Sequence, residues 1–117
     1  MNQLFVYGTL CPNKANAHIL EQIGGSWTKA SLRGVIHILD WGPDKGLTAI
    51  VLDPKADWVE GYVFSTEKLE ENWKMLDDFE GFQYQRVVTD VKLESGEQIK
   101  AWTYQLNAQA QSFENYN

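Results

Sequence analysis

Two short segments of this 117-residue chain place chemically useful groups where a folded protein can use them. The first is Tyr7-Gly8-Thr9-Leu10, in which an apolar run stops at a glycine and a small hydroxyl residue before the chain turns near Pro12 and Asn13. Gly8 lets a ligand approach the main chain, and successive N–H groups in such a turn form a concave anion site without any Lys or Arg. The second is Leu76-Asp77-Asp78-Phe79-Glu80-Gly81-Phe82, where a carboxylate arrives at the end of an amphipathic stretch just before a glycine stop. The partial negative charge of a helix carboxyl end, the neighbouring Asp77 and Asp78, and desolvation by Phe79 and Phe82 all favour protonated Glu80. In a cleft those effects bring its pKa toward neutrality, as acid/base catalysis requires. Alone, each segment has a plainer and commoner reading: Gly8-Thr9 as a simple turn, Glu80 as a solvated helix-end side chain.

Other groups give weaker signals. Tyr84 and Arg86 lie two apart in an expected strand, so they share one face and are candidates to line the same cavity as Glu80. Arg86 would there orient a carboxylate, but the slightly favoured reading makes it an ion-pair partner of Asp77, Asp78 or Glu80. His18 and His37 have no Cys, Asp or Glu at ligand spacing, so no metal site is expected and both are read as structural or surface residues. Cys11 has no His paired with it in sequence and reads as a small buried or loop residue. Of the five tryptophans, Trp41 sits in a Gly/Pro loop where it would cover a pocket.

These groups need a scaffold. Leu4 to Tyr7, uninterrupted by polar residues, predicts a strand buried on both faces. Asn16 to Ile23 predicts a short helix with Ala17, Leu20 and Ile23 inward, closed by Gly24-Gly25. Further strands are expected over Ala30 to Leu39, Leu47 to Leu52 and Trp58 to Phe64, with a mobile loop from Asp40 to Gly46. Ser65 or Thr66 would cap the clearest helix, whose buried face carries Leu69, Trp73, Leu76 and Phe79. Tyr84 to Leu93 and Gln98 to Gln105 read as a hairpin joined through Glu94-Ser95-Gly96-Glu97. The sum is an α+β domain of about five to six strands with one or two packed helices, as a mixed open sheet or small barrel. One domain over residues 1–106 is expected, followed by a polar tail over 107–117.

The totals narrow the partners. Ten Lys and Arg against sixteen Asp and Glu give a formal charge of −6, which argues against a grip on nucleic-acid backbones. No apolar run approaches the roughly twenty residues that span a bilayer, and no membrane association is expected. The amino terminus lacks secretory features, and the lone Cys11 suits a reducing cytoplasm.

Phe5-Val6-Tyr7-Gly8-Thr9-Leu10, Val59-Glu60-Gly61-Tyr62-Val63-Phe64, Leu76-Asp77-Asp78-Phe79-Glu80-Gly81 with Tyr84-x-Arg86, and the terminal hairpin ending at Trp102-Thr103-Tyr104 together resemble the γ-glutamyl cyclotransferase-like family, most closely its γ-glutamylamine cyclotransferase branch. Each motif is short, but their order and separation cover nearly the whole chain. The resemblance implies a compact mixed barrel with helices outside, a cavity at one end, and neither metal nor organic cofactor. It also implies that Tyr7, Gly8, Thr9 and Leu10 bind a γ-glutamyl group while Glu80 is the catalytic acid/base. The expected reaction releases 5-oxoproline and a free amine from a small γ-glutamyl substrate, in a protein taken as a monomer by default. The alternative is a non-catalytic binding module for γ-glutamyl metabolites on the same fold. The family usually continues the first loop with basic or Gly-rich residues, whereas Cys11-Pro12-Asn13-Lys14 stands here, which leaves the leaving group open.

Overall fold

The computed structural model describes residues 2–108. Its elements run β1 (Gln3–Val6), α1 (Ala17–Ile23), β2 (Ser26–Ile38), β3 (Thr48–Leu52), β4 (Trp58–Ser65), a single 3-10 turn (Glu70–Asn72), α2 (Trp73–Glu80), β5 (Tyr84–Leu93) and β6 (Gln98–Leu106). The sheet closes into a barrel, β1-β4-β2-β3-β6 and back to β1, with β5 bridging β6 and β2 as a sixth strand. Closure settles the choice that periodicity left open, because alternation along a strand is the same in an open sheet and in a barrel.

The second strand is longer than its composition predicts. Residues Ser26 to Arg33 pair with β4, and Gly34 to Ile38 pair with β3, so one thirteen-residue strand serves two neighbours in succession. The early part, Ser26-Trp27-Thr28-Lys29, carries too little apolar alternation to mark it as strand; its partner β4 supplies the reason it extends.

The core has two layers set by β1. Phe5 points into the barrel with Ala30, Leu32, Ile50, Val63, Val91 and Ala101. Leu4 and Val6 point outward against Leu20, Ile23, Leu69 and Leu76 of the helical layer. Both faces of β1 are thus buried, as its unbroken apolar run requires. The α1 expectation also holds, with Ala17, Leu20 and Ile23 buried and Gly24 ending the helix at φ 85°. The start of α2 differs. Thr66 Oγ1 accepts the Lys68 N–H at 3.2 Å in a local turn, and the α-helix begins only at Trp73 behind the 3-10 turn. Leu69 and Leu76 are fully buried, but Phe79 is 39% exposed, because the last turn of α2 leaves the barrel wall and faces an opening.

Two close approaches hold the barrel's geometry. A Cβ on Gly61 would lie 2.2 Å from the Val6 carbonyl oxygen, so β1 and β4 meet where no side chain fits. The ring is thinnest between β3 and β6, which share the single parallel pair Ile50↔Gln105. There the Tyr7 hydroxyl accepts the Ile50 N–H at 3.1 Å and donates to the Tyr104 carbonyl at 2.5 Å, splicing β1, β3 and β6 with one side chain.

Among the described residues no helix is long and apolar enough to cross a membrane. The expected tail lies outside the described residues except for Asn107 and Ala108. Asn107 is held, its N–H donating to the Gln83 carbonyl at 2.8 Å and its amide to the Phe82 carbonyl at 2.9 Å.

Gly61→Ala is expected to cost about 3 kcal/mol, since the added methyl meets backbone first and then the buried Phe5 ring, neither of which can move aside freely. Urea denaturation measures it; a loss under about 1 kcal/mol would show that β1 and β4 separate freely.

Candidate active site

One cavity of about 170 Å³ opens at the end of the barrel from which β1 emerges, and most of the chemically interesting residues meet there. Tyr7, Gly8, Thr9 and Leu10 form one wall and Phe79 and Glu80, at the end of α2, another, with Asn16, Asp44, Thr48, Tyr84 and Tyr104 also in the lining beside the apolar Phe5, Val6 and Leu47.

The first loop is built to leave donors free. The Cys11 N–H bonds back to the Gly8 carbonyl at 3.1 Å, closing a turn around Thr9 and Leu10. The N–H groups of Gly8, Thr9 and Leu10 donate to no group among the described residues. Asn16 fixes the turn from behind: its N–H donates to the Thr9 carbonyl and its side-chain amide to Thr9 Oγ1, both at 2.9 Å. Asn16 stands at the N-cap position of α1 yet makes no side-chain cap, having given that bond to the loop. A Cβ added at Gly8 would meet only Thr48 Oγ1, at 3.5 Å, so the missing side chain is room inside the cavity and not a folding requirement.

The three phenols lining the cavity have committed their protons. The Tyr7 hydroxyl donates to the Tyr104 carbonyl, Tyr84 to the Thr48 carbonyl at 2.7 Å, and Tyr104 to Asp77 Oδ1 at 2.6 Å. Burial raises the pKa of all three, so they stay neutral and serve as walls with spare acceptor lone pairs. Tyr7 therefore reaches the cavity with its ring, while its hydroxyl belongs to the barrel closure.

Glu80 hydrogen-bonds to no side chain among the described residues, and burial, reinforced by the charge of Asp44, pushes its carboxyl up to about 7. The like charge comes from a residue that sequence spacing did not single out. Asp78 is turned away in an i,i+4 pair with Lys74 at 3.0 Å, and Asp77 is taken by Arg86 and Tyr104. Phe82 is 55% exposed, so Phe79 alone of the two rings lines the cavity. Asp44 belongs to the loop 40–46, and its Oδ2 lies 3.7 Å from where a Cβ on Gly81 would sit, over the carboxyl end of α2. Its own carboxyl is raised by burial.

The loop is held there by Gln83, which is 1% exposed. Gln83 Nε2 donates to the Trp41 carbonyl at 2.9 Å and its Oε1 accepts the Asp44 N–H at 3.2 Å. The expected mobile segment is thus tied to the turn between α2 and β5. Trp41 packs edge-on against Phe82, centroids 5.8 Å apart, and is absent from the cavity lining.

Tyr84 and Arg86 share a face, but only Tyr84 reaches the cavity. Arg86 grips Asp77 with Nε–Oδ1 at 2.9 Å and Nη2–Oδ2 at 3.2 Å, and its guanidinium lies 4.0 Å from the Trp73 ring centroid and 4.6 Å from that of Trp102. Burial alone would raise the Asp77 carboxyl; the bonds from Arg86 and Tyr104 and the Arg86 charge hold it below the usual range. The ion-pair reading of Arg86 is the one the geometry supports. Cys11 is buried, its thiol pushed up to about 11 by burial, which makes it a poor nucleophile. No three His, Cys, Asp or Glu side chains among the described residues gather in a metal-holding group.

Comparison with known proteins agrees with the architecture. The family model described as gamma-glutamyl cyclotransferase, AIG2-like, matches residues 4–116. Among solved structures, YkqA from Bacillus subtilis is 24% identical with a TM-score of 0.69, covering 91% of this chain and 36% of its own. An AIG2-like protein from Mus musculus is 24% identical with a TM-score of 0.64, covering 90% of this chain and 76% of its own. A protein from Arabidopsis thaliana is 25% identical, also with a TM-score of 0.64, covering 90% and 61%. The chain thus spans about a third of the length of YkqA, and likenesses this distant speak to the fold. No curated protein sequence matches significantly.

Two outcomes test these assignments without any ligand. Arg86→Ala is expected to lower stability by about 2 kcal/mol in urea denaturation, through lost stacking on two indoles and a carboxylate left without its fork; a change within about 0.5 kcal/mol would free Arg86 for another role. For Glu80 the folded pKa of about 7 lies above the ordinary 4.5, so the folded state binds the proton more tightly than the unfolded chain. Its contribution to stability is therefore largest at low pH and declines as pH rises through that interval. Glu80→Gln should remove this decline, making the variant more stable than the parent at pH 8 but not at pH 4, and parallel curves would show an unshifted Glu80.

Proposed function

The chain belongs to the gamma-glutamyl cyclotransferase, AIG2-like family, and from that premise we propose that it cleaves a γ-glutamyl amide by attack of the substrate's own α-amine on its γ-carbonyl, releasing 5-oxoproline and a free amine. The observation that carries this reading is the meeting, in one small cavity, of a largely desolvated carboxyl with a pKa near neutrality and a loop with three N–H groups unpaired among the described residues.

The cavity supplies what this cyclisation needs and little more. The substrate already contains nucleophile and electrophile, so holding the chain curled does much of the work; well-oriented intramolecular reactions reach effective molarities of roughly 10⁵ M. The compact lining of Tyr7, Thr48, Phe79 and Tyr84 favours the curled form over the extended one. Glu80 takes a proton from the α-ammonium, and the neutral amine attacks the γ-carbon. The new nitrogen–carbon bond forms as the carbonyl pair moves onto oxygen. The N–H groups of the Gly8-Thr9-Leu10 turn, unpaired among the described residues, are the donors for that oxyanion or for the α-carboxylate, since the phenols are already donating elsewhere. Collapse expels the leaving nitrogen, which accepts a proton from Glu80. Two protons leave the α-nitrogen and two end on the departing amine, so one carboxyl cycling twice completes the reaction without net exchange with solvent. A pKa of about 7 suits a group that must both accept and donate. Lacking Lys and Arg, the cavity disfavours a leaving group with a carboxylate beside the scissile nitrogen, which agrees with the γ-glutamylamine branch.

The test is 5-oxoproline release from a panel of γ-glutamyl amines and γ-glutamyl amino acids. The parent should turn over at least one γ-glutamyl amine, with kcat/KM rising as pH passes through about 7 and the Glu80 base form appears. Glu80→Gln should lower kcat by about 10²–10⁴-fold with affinity kept within a few fold. Undiminished turnover in the variant removes Glu80 from the mechanism. Binding without turnover on every substrate favours the non-catalytic module.

A further inference from the structure

We propose that Asp44 is a second substrate-binding carboxylate, which takes the α-ammonium of the γ-glutamyl group between itself and Glu80, and that Gln83 is the residue that positions it.

The inference rests on the proposed reaction and starts from an electrostatic oddity. Asp44 Oδ2 lies against Gly81, at the carboxyl end of α2, and Asp44 and Glu80 line one cavity. The helix end carries partial negative charge, so three negative features converge. No Lys or Arg lines the cavity to offset them. Among the described residues, the remaining titratable groups around it are the phenols of Tyr7, Tyr84 and Tyr104, all neutral, and the neighbouring Arg86–Asp77 pair is neutralised internally. Left to itself, an aspartate on a surface loop would swing out to water. Instead the loop is fastened by the two bonds of buried Gln83, and Gly42, at φ 80°, passes so close that a Cβ there would lie 2.7 Å from Gln83 Oε1. The fold thus spends buried hydrogen bonds on keeping a repulsive arrangement. A cation bound between the two carboxylates relieves it, and within a γ-glutamyl group the α-ammonium is the one cation available.

The geometry gives Asp44 a task distinct from that of Glu80. An ammonium has three N–H donors. One points to Glu80 and is transferred. A second, retained on the nitrogen, stays with Asp44 and fixes the rotation of the amine, so that the lone pair uncovered by the transfer faces the γ-carbon. The proton moves from nitrogen to Glu80, and Asp44 keeps its charge throughout. Its negative field also holds Glu80 more basic, which favours the first transfer.

The experiment compares L-glutamine, the smallest γ-glutamyl amide, with glutaramate, which is identical but for the α-ammonium. Binding of each to the intact protein is followed by NMR, in which any 5-oxoproline formed from glutamine is seen directly. The parent should prefer glutamine. Asp44→Asn, nearly isosteric and in a partly exposed loop, should lose at least tenfold of that preference while binding glutaramate as well or better, and should shift the Glu80 titration to lower pH. Gln83→Leu should move the preference and the titration in the same directions, which a purely structural defect would not do. An unchanged preference in Asp44→Asn, or no preference in the parent, overturns the proposal. Its failure is separable from that of the reaction: a protein that prefers glutamine through Asp44 yet turns over no γ-glutamyl amide supports the ammonium site while refuting catalysis, and undiminished turnover in Asp44→Asn with unchanged preference does the reverse.

Discussion

The Tyr7 hydroxyl is the joint on which the rest of this structure depends. A small barrel must close, and here closure between β3 and β6 amounts to one residue pair, Ile50↔Gln105. Tyr7 reaches across from β1 and binds one backbone group on each side of that seam, Ile50 N–H and the Tyr104 carbonyl. The same residue opens the loop whose free N–H groups face the cavity. Barrel integrity and loop position are therefore set by one side chain, and the cavity mouth lies beside the weakest part of the ring because the strand that repairs it also ends there. Thr103, one residue before Tyr104, adds a buried bond from its hydroxyl to the Phe5 carbonyl at 3.0 Å, which keeps β1 and β6 in register just inside the splice.

Around that joint, two polar arrangements with different purposes sit side by side. Asp77, Arg86 and Tyr104 form a paired set: the guanidinium and the Tyr104 hydroxyl both donate to the carboxylate, the guanidinium also lies against two indoles, and the charges cancel. Glu80 and Asp44 form an unsaturated one, with like charges held together and no counter-ion among the described residues. Tyr104 and Tyr84 border both. Pairing of this kind in the first set stiffens the wall, while the second leaves a like-charge repulsion in the cavity unrelieved.

Much of this was legible in the chain itself, for identifiable reasons. The unbroken run Leu4-Phe5-Val6 announces a strand with two buried faces because each residue type has only one comfortable environment. Leu69, Leu76 and the Gly81 stop mark the second helix and its end, and hence where Glu80 falls. The Tyr7 to Leu10 loop and Glu80, far apart in sequence, do meet. What could not be read were relations between distant segments. Asp77 and Asp78 looked like the source of charge near Glu80 because they are near in sequence, yet α2 points them elsewhere, and Asp44 arrives from a loop 36 residues upstream. The one signal that it carried was its setting among Gly42, Pro43 and Gly46, which says turn but not where the turn docks. Gln83 had no signal at all: a glutamine after a helix is ordinarily solvated, and only the loop folding over it makes it buried. Phe79 misled because its spacing fits the buried stripe, while the stripe runs out one turn before the helix does.

The way the ends of the described chain meet bears on how the protein is made. The cavity needs β1 to lie parallel to β6, which is synthesised well after it, with bonds such as Thr103 to Phe5 spanning 98 positions. Contacts of such sequence separation are slow to form, because the loop must close before they return anything. On the ribosome β1, apolar on both faces, must wait for β4 and then β6 before it has its final neighbours. The cavity thus forms only once β6 is in place, and truncation anywhere before Tyr104 would leave both the seam and the cavity unmade.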